Sequence, residues 1–445
     1  MICLGSAAPC QAGESTTFVF RRSDQSLGNT RTFGVAIEDV DLDGDNDIFV
    51  TDYVGPSRLW LNDGAGVFSP GPQSFNISEV HGVGIRDLNG DNNPDILVLS
   101  HANPSKVFFN NGSGIFTSGA QNIGVGADYP GMVALGDVDN DGDIDAFIAY
   151  YTLPNRLWLN DGTGYFSVTS TEYGGGNGGD MELADVNGDT FLDLFITFSD
   201  QPDEVWINDG SGTFEDSGLR LGNSTGYENT ASSDVDGDGD IDLAVCNSVE
   251  GARIWLNQNN TGSFVAAGPY FETGALKIEL FDADLDGDLD LITTHQVNGN
   301  KLWINDGSAV FTSAGPLLGY PRAIAIACGR LDTDADFDVV LGMAENSGGN
   351  PIYFNESISS CCVGRVGDAN GSGEDEPTIA DVSVLIDAKF ITGVCEGILN
   401  CMAEADINQS GGANPTCDDI SIGDVSILID YLFITGSSLG LPTCL

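Results

Sequence analysis

An acidic nine-residue window recurs along this chain at a nearly constant interval. Successive windows start 48, 50, 48, 49, 48 and 48 residues apart. A fixed period of this length indicates that one supersecondary unit is stacked seven times. The windows begin at Asp39, Asp87, Asp137, Asp185, Asp234, Asp282 and Arg330.

Each period has the pattern of about four β-strands. A short apolar or alternating run precedes each acidic window, and a β-rich run such as Ile-Phe-Val-Thr follows it. About ten residues later comes a second signature, Arg-Leu-Trp-Leu-Asn-Asp-Gly in the first copy, whose Asn-Asp-Gly turn predicts a hairpin. Four strands repeated seven times predict a mainly β fold, a seven-bladed β-propeller.

The seventh unit is incomplete and stops at residues 351–356. The missing strand pattern occurs at the other end of the propeller segment, in Thr16-Thr17-Phe18-Val19-Phe20. We therefore expect this segment to complete the last blade and close the ring. The predicted domains are an N-terminal extension over 1–12, the propeller over 13–358 and a separate C-terminal domain over 363–445.

The acidic excess is concentrated in the windows. The chain has 67 acidic and 15 basic residues, a net charge of −52, and the seven windows hold 30 of the acidic residues. This charge argues against nucleic acid and anionic membranes as partners, and no apolar run approaches the roughly 20 residues of a membrane span. Carboxylates at alternate positions are typical of Ca²⁺ loops, although solvated acidic turns are the alternative.

We expect six calcium ions in the propeller. Positions 1, 3, 5 and 9 of each window supply side-chain oxygens, and position 7, which is Phe191 in one copy, supplies its backbone carbonyl. Position 6 is usually Gly, as a positive φ would require. The predicted ligands are Asp39, Asp41, Asp43, Asp45 and Asp47; Asp87, Asn89, Asp91, Asn93 and Asp95; Asp137, Asp139, Asp141, Asp143 and Asp145; Asp185, Asn187, Asp189, Phe191 and Asp193; Asp234, Asp236, Asp238, Asp240 and Asp242; and Asp282, Asp284, Asp286, Asp288 and Asp290.

These windows and hairpins resemble the FG-GAP and VCBS repeats of integrin α-subunit heads and of many bacterial secreted proteins. The resemblance covers about residues 13–357. It implies a propeller whose calcium loops join the first two strands of each blade on one face, with ligands bound on the opposite face. It does not fix the ligand, because the family includes adhesins, lectin-like modules and a few enzymes.

The pattern changes after Cys361-Cys362. Two related segments, 367–393 and 405–436, carry the apolar spacing of amphipathic helices, each after an Asp-x-Asn-x-Ser-Gly turn. They resemble the EF-hand-like calcium loops of type I dockerin modules, although Ser stands at the fifth position and residues are inserted before the closing Asp. The resemblance implies up to two calcium ions and attachment to a cohesin-like or self-assembly partner; a structural cap is the alternative. The candidate ligands are Asp368, Asn370, Ser372, Asp381, Asp406, Asn408, Ser410 and Asp424.

Cysteine usage indicates an oxidising compartment. Six of the ten cysteines lie in the last 85 residues, where disulfides would stabilise a small domain. Cys246 and Cys328 lie in apolar strand runs and are predicted to be buried free thiols. Calcium and cysteine together predict a secreted or cell-surface protein.

Three functions are compatible with the sequence. The first is an adhesion or carbohydrate-binding protein whose ligand face carries Tyr53, His81, His101, Tyr129, Tyr150, Tyr151, Tyr227 and His295. The second is a structural subunit of an extracellular assembly. The third, a polysaccharide-degrading enzyme, is disfavoured because the carboxylate pairs are largely committed to the predicted calcium loops and one histidine lies four repeats from the other two; we expect no catalysis.

The seventh window predicts a loop without calcium. Arg330 replaces the first ligand, and its guanidinium is expected either to pair with neighbouring carboxylates in place of the cation or to point into solvent beside a weakened site. We predict that Arg330→Asp adds one bound calcium per propeller, measured as metal-to-protein stoichiometry after dialysis. An unchanged stoichiometry would contradict this assignment.

Overall fold

The computed structural model describes residues 20–28, 31–124, 129–175, 177–222, 226, 228–295, 299–318, 323–334, 336–344 and 349–356. Within these residues, 28 strands form seven antiparallel sheets of four strands each. This confirms the predicted seven-bladed β-propeller.

The first three blades follow chain order from the innermost strand outward. Blade 1 contains β2 (Val35–Glu38), β3 (Asp47–Val50), β4 (Ser57–Leu61) and β5 (Ser69–Phe75). Blade 2 contains β6 (Val80–Arg86), β7 (Asp95–Ser100), β8 (Lys106–Asn110) and β9 (Phe116–Ser118). Blade 3 contains β10 (Pro130–Gly136), β11 (Asp145–Tyr150), β12 (Asn155–Asn160) and β13 (Phe166–Tyr173).

The next three blades repeat this order. Blade 4 contains β14 (Gly178–Ala184), β15 (Asp193–Phe198), β16 (Asp203–Asn208) and β17 (Phe214–Leu221). Blade 5 contains β18 (Glu228–Ser233), β19 (Asp242–Asn247), β20 (Gly251–Asn257) and β21 (Phe264–Ala266). Blade 6 contains β22 (Ala275–Phe281), β23 (Asp290–His295), β24 (Asn300–Ile304) and β25 (Thr312–Leu318).

Blade 7 is built from both ends of the propeller segment. It contains β26 (Ala323–Gly329), β27 (Asp338–Met343) and β28 (Asn350–Asn355), and its outer strand is β1 (Phe20–Leu27). Phe20 pairs with Asn355 in an antiparallel ladder. An N-terminal strand therefore closes the ring, as expected, but it runs over Phe20–Leu27; of the predicted segment 16–20, only Phe20 lies among the described residues.

The core lies between neighbouring blades. In the second strand of every blade each residue is buried, as in β7 and β15, because blades cover both faces of that strand. Phe49 and Phe75 of blade 1 pack with Phe116 of blade 2, and the Phe75 and Phe116 rings lie 5.5 Å apart. The Phe that ends each hairpin signature thus belongs to the contact between two blades.

A repeated Asp–Asn pair, here called the Asp–Asn clamp, fixes each acidic loop to its blade. In blade 4, Asp193 accepts hydrogen bonds from the backbone amides of Val186 (3.2 Å) and Asn208 (2.8 Å). Asn208 Nδ2 donates to the carbonyls of Leu192 (3.0 Å) and of Val138 in blade 3 (2.8 Å). One clamp therefore joins a loop, a hairpin and the neighbouring blade.

All seven blades carry the clamp, including blade 7, where Asp338 accepts from Leu331 and Asn355. The bonds between blades run from Asn62 to Leu331, Asn110 to Val40, Asn160 to Leu88, Asn208 to Val138, Asn257 to Val186, Asn305 to Val235 and Asn355 to Ala283. They form a complete circle around the propeller.

The C-terminal predictions lie outside the described residues, which end at residue 356. This applies to the α-helical dockerin-like domain and to all its candidate ligands. In the part of the chain that is described, Cys246 and Cys328 are free thiols as predicted, with Cys328 only half-buried. No helix in that part is long and apolar enough to cross a membrane.

We predict that Asn208→Ala lowers the free energy of unfolding by about 2–4 kcal/mol, because two buried carbonyls each lose their donor. The measurement is denaturant unfolding in calcium. Glu215→Ala, an exposed change in the same blade, is the matched control and should change stability by less than about 0.5 kcal/mol. Equal losses in the two variants would contradict a special role for the clamp.

Candidate metal loops and the opposite face

The acidic windows join the first and second strands of their blades. The first window, for example, spans the connection between β2 and β3. All six complete windows therefore lie on one face of the propeller.

Each loop turns around its first aspartate. Asp39 Oδ2 accepts a hydrogen bond from the amide of Gly44 (3.0 Å), and the same bond recurs in the other five complete loops. Position 6 has a positive φ, as predicted, from 102° at Gly44 to 64° at Asn92. Position 4 also has a positive φ, 60° at Leu42 and 61° at Leu285, which sequence reasoning missed although this position is Gly or Asn in the other four complete loops.

Carboxylates converge in four loops. Their candidate ligand oxygens lie within 4.8 Å of one another. Loops 2 and 4 carry an amide oxygen at position 3, from Asn89 and Asn187. The converging groups are Asp39, Asp41 and Asp43; Asp137, Asp139 and Asp145; Asp234, Asp236 and Asp242; and Asp282, Asp284 and Asp290.

Buried carboxylate oxygens in these loops lack partners. Among the described residues, Oδ1 of Asp41, of Asp137 and of Asp282 is buried without a hydrogen bond. A set of oxygen donors with unpartnered carboxylates fits a hard divalent cation such as Ca²⁺. Several of these loops could therefore bind metal ions.

The electrostatics favour a cation. Burial, followed by the charge of Asp286, raises the pKa of Asp284 to about 6. Burial also raises the pKa of the clamp aspartates, to about 7 at Asp47 and about 8 at Asp290, despite their backbone hydrogen bonds. A bound cation would offset this cost of ionisation.

Position 7 directs its side chain away from the converging oxygens in most loops. A Cβ placed on Gly210 of the Asn-Asp-Gly turn would lie 2.6 Å from the Phe191 ring, and one on Gly162 would lie 2.5 Å from Asp143 Oδ2. The side chain of position 7 therefore lies against the turn glycine. This arrangement supports the inference that position 7 binds through its backbone carbonyl.

The seventh loop differs from the expected arrangement. Arg330 is exposed, and its guanidinium lies 5.4 Å from the centre of the Phe337 ring. In the described part of the loop it makes no ion pair with Asp332 or Asp334, so the predicted replacement of the cation by the guanidinium is not seen. The Phe337 ring, in the same window, thus offers the guanidinium a partner other than a carboxylate.

Aromatic residues from blades 1 to 3 meet on the opposite face, where first strands begin and second strands end. The His81 ring stacks on the His101 ring with centroids 3.5 Å apart, and on Phe33 at 4.1 Å. Tyr151 meets both imidazoles edge-on, at 6.0 and 5.6 Å. Phe33, Tyr53, His81, His101, Tyr129 and Tyr151 are called the aromatic cluster below.

The aromatic cluster combines exposed rings with buried nitrogen atoms. Tyr129 is 47% exposed, whereas His81 is 9% exposed. Within the described residues, neither ring nitrogen of His81 has a hydrogen-bond partner, and burial lowers its pKa to about 3. Arg31 lies over Phe33 at 4.4 Å. Sequence reasoning did not predict Arg31 and Phe33 on this face, although both lie just before β2, the innermost strand of blade 1.

Two predicted ligand-face residues, Tyr150 and His295, do not join the aromatic cluster. Tyr150 is 2% exposed and packs in the core, where its hydroxyl accepts from Trp158 Nε1. His295 is 4% exposed, with Nε2 2.7 Å from the carbonyl oxygen of Thr273 and 3.6 Å from Glu272. Tyr227 lies outside the described residues. The three histidines therefore do not form one site.

A family model described as FG-GAP-like repeat matches residues 39–98, 87–148, 137–196, 185–245 and 234–293, together more than half of the chain. No curated protein matches the sequence. Among solved structures, BBS1N in complex with ARL6DN is similar at 11% identity and TM-score 0.55, over 76% of this chain and 97% of that one. The BP39L lectin from Burkholderia pseudomallei is similar at 13% identity and TM-score 0.56, over 74% and 99%. At these identities the likeness concerns the fold alone.

We predict that removing calcium with a chelator lowers the melting temperature steeply, because each filled site contributes about 2.7 kcal/mol at a calcium concentration 100 times its Kd. Asp282→Asn should reduce this calcium-dependent stabilisation, and Asp306→Asn, at an exposed turn, should not. An unchanged melting temperature in excess chelator would contradict calcium binding.

The dependence of stability on pH should also reverse when calcium is removed. In chelator, stability should fall as the pH rises from 5 to 8, because the folded carboxyls, with pKa values of about 7 at Asp47 and 8 at Asp290, hold protons that the unfolded chain has lost. In calcium it should rise over that range.

Proposed function

The chain belongs to the FG-GAP-like repeat family, and we propose that it is a secreted or cell-surface protein, stabilised by calcium, that binds an extracellular glycan or protein. The observation that carries this proposal is the convergence of the aromatic cluster on the face opposite the acidic loops. Five residues expected on that face from sequence, Tyr53, His81, His101, Tyr129 and Tyr151, contribute to it.

The chemistry of the cluster suits a ligand with both apolar and hydroxyl groups. Exposed rings such as Tyr129 can stack on the C–H face of a sugar or on an apolar side chain. Neutral imidazoles can accept hydrogen bonds from hydroxyl groups. A few polar groups placed among aromatic rings are typical of binding sites.

The backbone at Tyr129 supports a binding role. Its φ is 51°, a conformation that costs free energy for a tyrosine and that Glu79 shares, at 53°, in the equivalent position of blade 2. The adjoining amide of Tyr151 donates to the Tyr129 carbonyl at 3.2 Å, which fixes the tyrosine next to His101. The exposed ring is therefore held in place before a ligand arrives, which lowers the entropic cost of binding.

The calcium loops have a supporting role in this proposal. They lie on the other face, and binding six ions would neutralise clustered charge and stabilise the first two strands of each blade. The remaining negative charge of the chain favours neutral or cationic ligands over polyanionic glycans.

The solved structures to which the fold is similar support a binding role in general terms. One is named a lectin, and another is a complex between two proteins. We propose that this chain likewise binds its ligand without transforming it. The separation of His295 from His81 and His101 supports this part of the proposal.

We further propose, from sequence alone, that residues 363–445 attach the propeller to a cohesin-like partner or to a second copy of the chain, with up to two calcium ions. The alternative is that the propeller and residues 363–445 together form a structural subunit of an extracellular assembly. The attachment proposal is independent of the aromatic cluster.

The test is a glycan array, with immobilised extracellular proteins beside it, probed with the full chain in calcium. For any ligand found, Tyr129→Ala should weaken binding about tenfold, since an exposed aromatic anchor contributes strongly. Tyr165→Ala is the matched control, because Tyr165 is 54% exposed but lies in a hairpin turn on the calcium face. Absence of any ligand, or equal effects of the two substitutions, would contradict the proposal.

A further inference from the structure

The innermost strands surround a cavity of about 140 Å³ at the centre of the ring. Every blade contributes to its wall the residue five positions before its acidic window. These residues are Gly34, Gly82, Met132, Asp180, Asn229, Lys277 and Ala325. Polar side chains at this position thus occur only on blades 4, 5 and 6.

The position two residues further along the same strands repeats this asymmetry. Blades 4 and 6 carry Glu182 and Glu279, and the other blades carry only alanine or glycine. Glu279 also lines the cavity. Asp180 and Glu279 therefore line one side of the cavity together with Lys277, and Glu182 is near enough for the charges of Asp180 and Glu279 to act on it.

The surroundings of Glu182 and Glu279 disfavour the ionised form of both carboxyls. Burial, followed by the charges of Asp180 and Glu279, raises the pKa of Glu182 well above its ordinary value. Burial and Asp180 raise the pKa of Glu279 to about 7, although Lys277 lowers it. An additional cation in the channel would stabilise the ionised form of both groups.

The acidic wall is held by hydrogen bonds across three blades. Asn229 Nδ2 donates to Asp180 Oδ2, and Asn229 Oδ1 accepts from the amide of Ile278 (2.8 Å). The amide of Asp180 donates to Thr197 Oγ1 at 2.7 Å. These bonds fix the Asp180 carboxylate next to the cavity before any ligand binds.

The opposite wall carries an unsatisfied acceptor. His81 lines the same cavity, is 9% exposed and, within the described part of the chain, has no hydrogen-bond partner at either ring nitrogen. A neutral imidazole can accept a hydrogen bond from an N–H donor but cannot pair with an anion. Phe33, Val83 and Met132 complete this wall with apolar surface.

We propose that the central channel binds a primary ammonium group carried on a short alkyl chain. The nitrogen lies by Asp180, Glu182 and Glu279, and the alkyl chain lies against Phe33, Val83 and Met132. The cavity is smaller than the roughly 300–1,000 Å³ of pockets for drug-sized ligands, so it admits a group the size of one side chain. The site shares Phe33 and His81 with the aromatic cluster, but it goes beyond the proposed function because its acidic wall lies on blades 4 and 6.

The test is isothermal titration calorimetry of the full chain with 1,5-diaminopentane, in calcium and 150 mM salt, with neutral 1,5-pentanediol as the comparison probe. The diamine should bind and the diol should not. Binding should release protons, because the cation favours ionised Glu182 and Glu279; the release is measured as a heat that depends on the ionisation enthalpy of the buffer. Diamine held only by surface carboxylates would release no protons, and that outcome would overturn the proposal.

Substitutions in the wall sharpen the test. Glu182→Gln and Glu279→Gln should each weaken diamine binding about tenfold and reduce proton release, and both should stay folded because glutamine has nearly the shape of the protonated carboxyl that it replaces. Lys277→Met should tighten binding by removing a competing cation; weaker binding would indicate an anionic ligand and overturn the proposal. Glu215→Gln, an exposed change, is the control. Unchanged affinity in both glutamine variants would also overturn it.

A second probe distinguishes the source of the ammonium. Binding of the tripeptide Gly-Lys-Gly in place of the diamine would assign the channel to a lysine side chain of a partner, and binding of the diamine alone to a free amine. The variant Tyr129→Ala should retain diamine binding. Failure of the channel proposal and failure of the ligand-face proposal are therefore distinguishable.

Discussion

The Asp–Asn clamp is the interaction on which the rest of the structure depends. Its aspartate satisfies one amide of the acidic loop and one of the hairpin, and its asparagine reaches a carbonyl of the neighbouring blade. Because these groups are buried, a lost partner leaves an unsatisfied polar group at the contact between blades. Blade 7 retains Asp338 and Asn355 although Arg330 replaces its first acidic position, which separates the structural use of the window from its use for metal binding.

The clamp also concentrates part of the chain's net charge of −52 in the acidic loops. It places one carboxylate of every loop beside several others, which raises the free energy of the ionised, metal-free state. In three loops the clamp aspartate is itself among the converging oxygens: Asp145, Asp242 and Asp290. The geometry of the fold and the capacity of these loops to hold a cation therefore have the same origin.

The periodic features of the fold and its closure by an N-terminal strand could be predicted from sequence, but the side chains that the closed ring brings together could not. Seven blades, the position of the loops and the positive φ at Gly44 follow from local pattern. Tyr150 and Tyr151 share one pattern in sequence, but β11 ends with Tyr150 in the core, and the next residue, Tyr151, contributes to the aromatic cluster. Asp180 and Lys277 lie about a hundred residues apart, and only the closed ring brings them to one cavity. Calcium itself stays a prediction.

Closure through β1 has a mechanical consequence. Phe20, at the beginning of the closing strand, lies opposite Asn355, at the end of its partner, so the two ends of the propeller leave from one point of one ladder. A tensile load between these ends would act across the β1–β28 ladder and break its hydrogen bonds one after another from Phe20, as in a zipper. Force would therefore open the ring at blade 7 while the other six blades still held their strands.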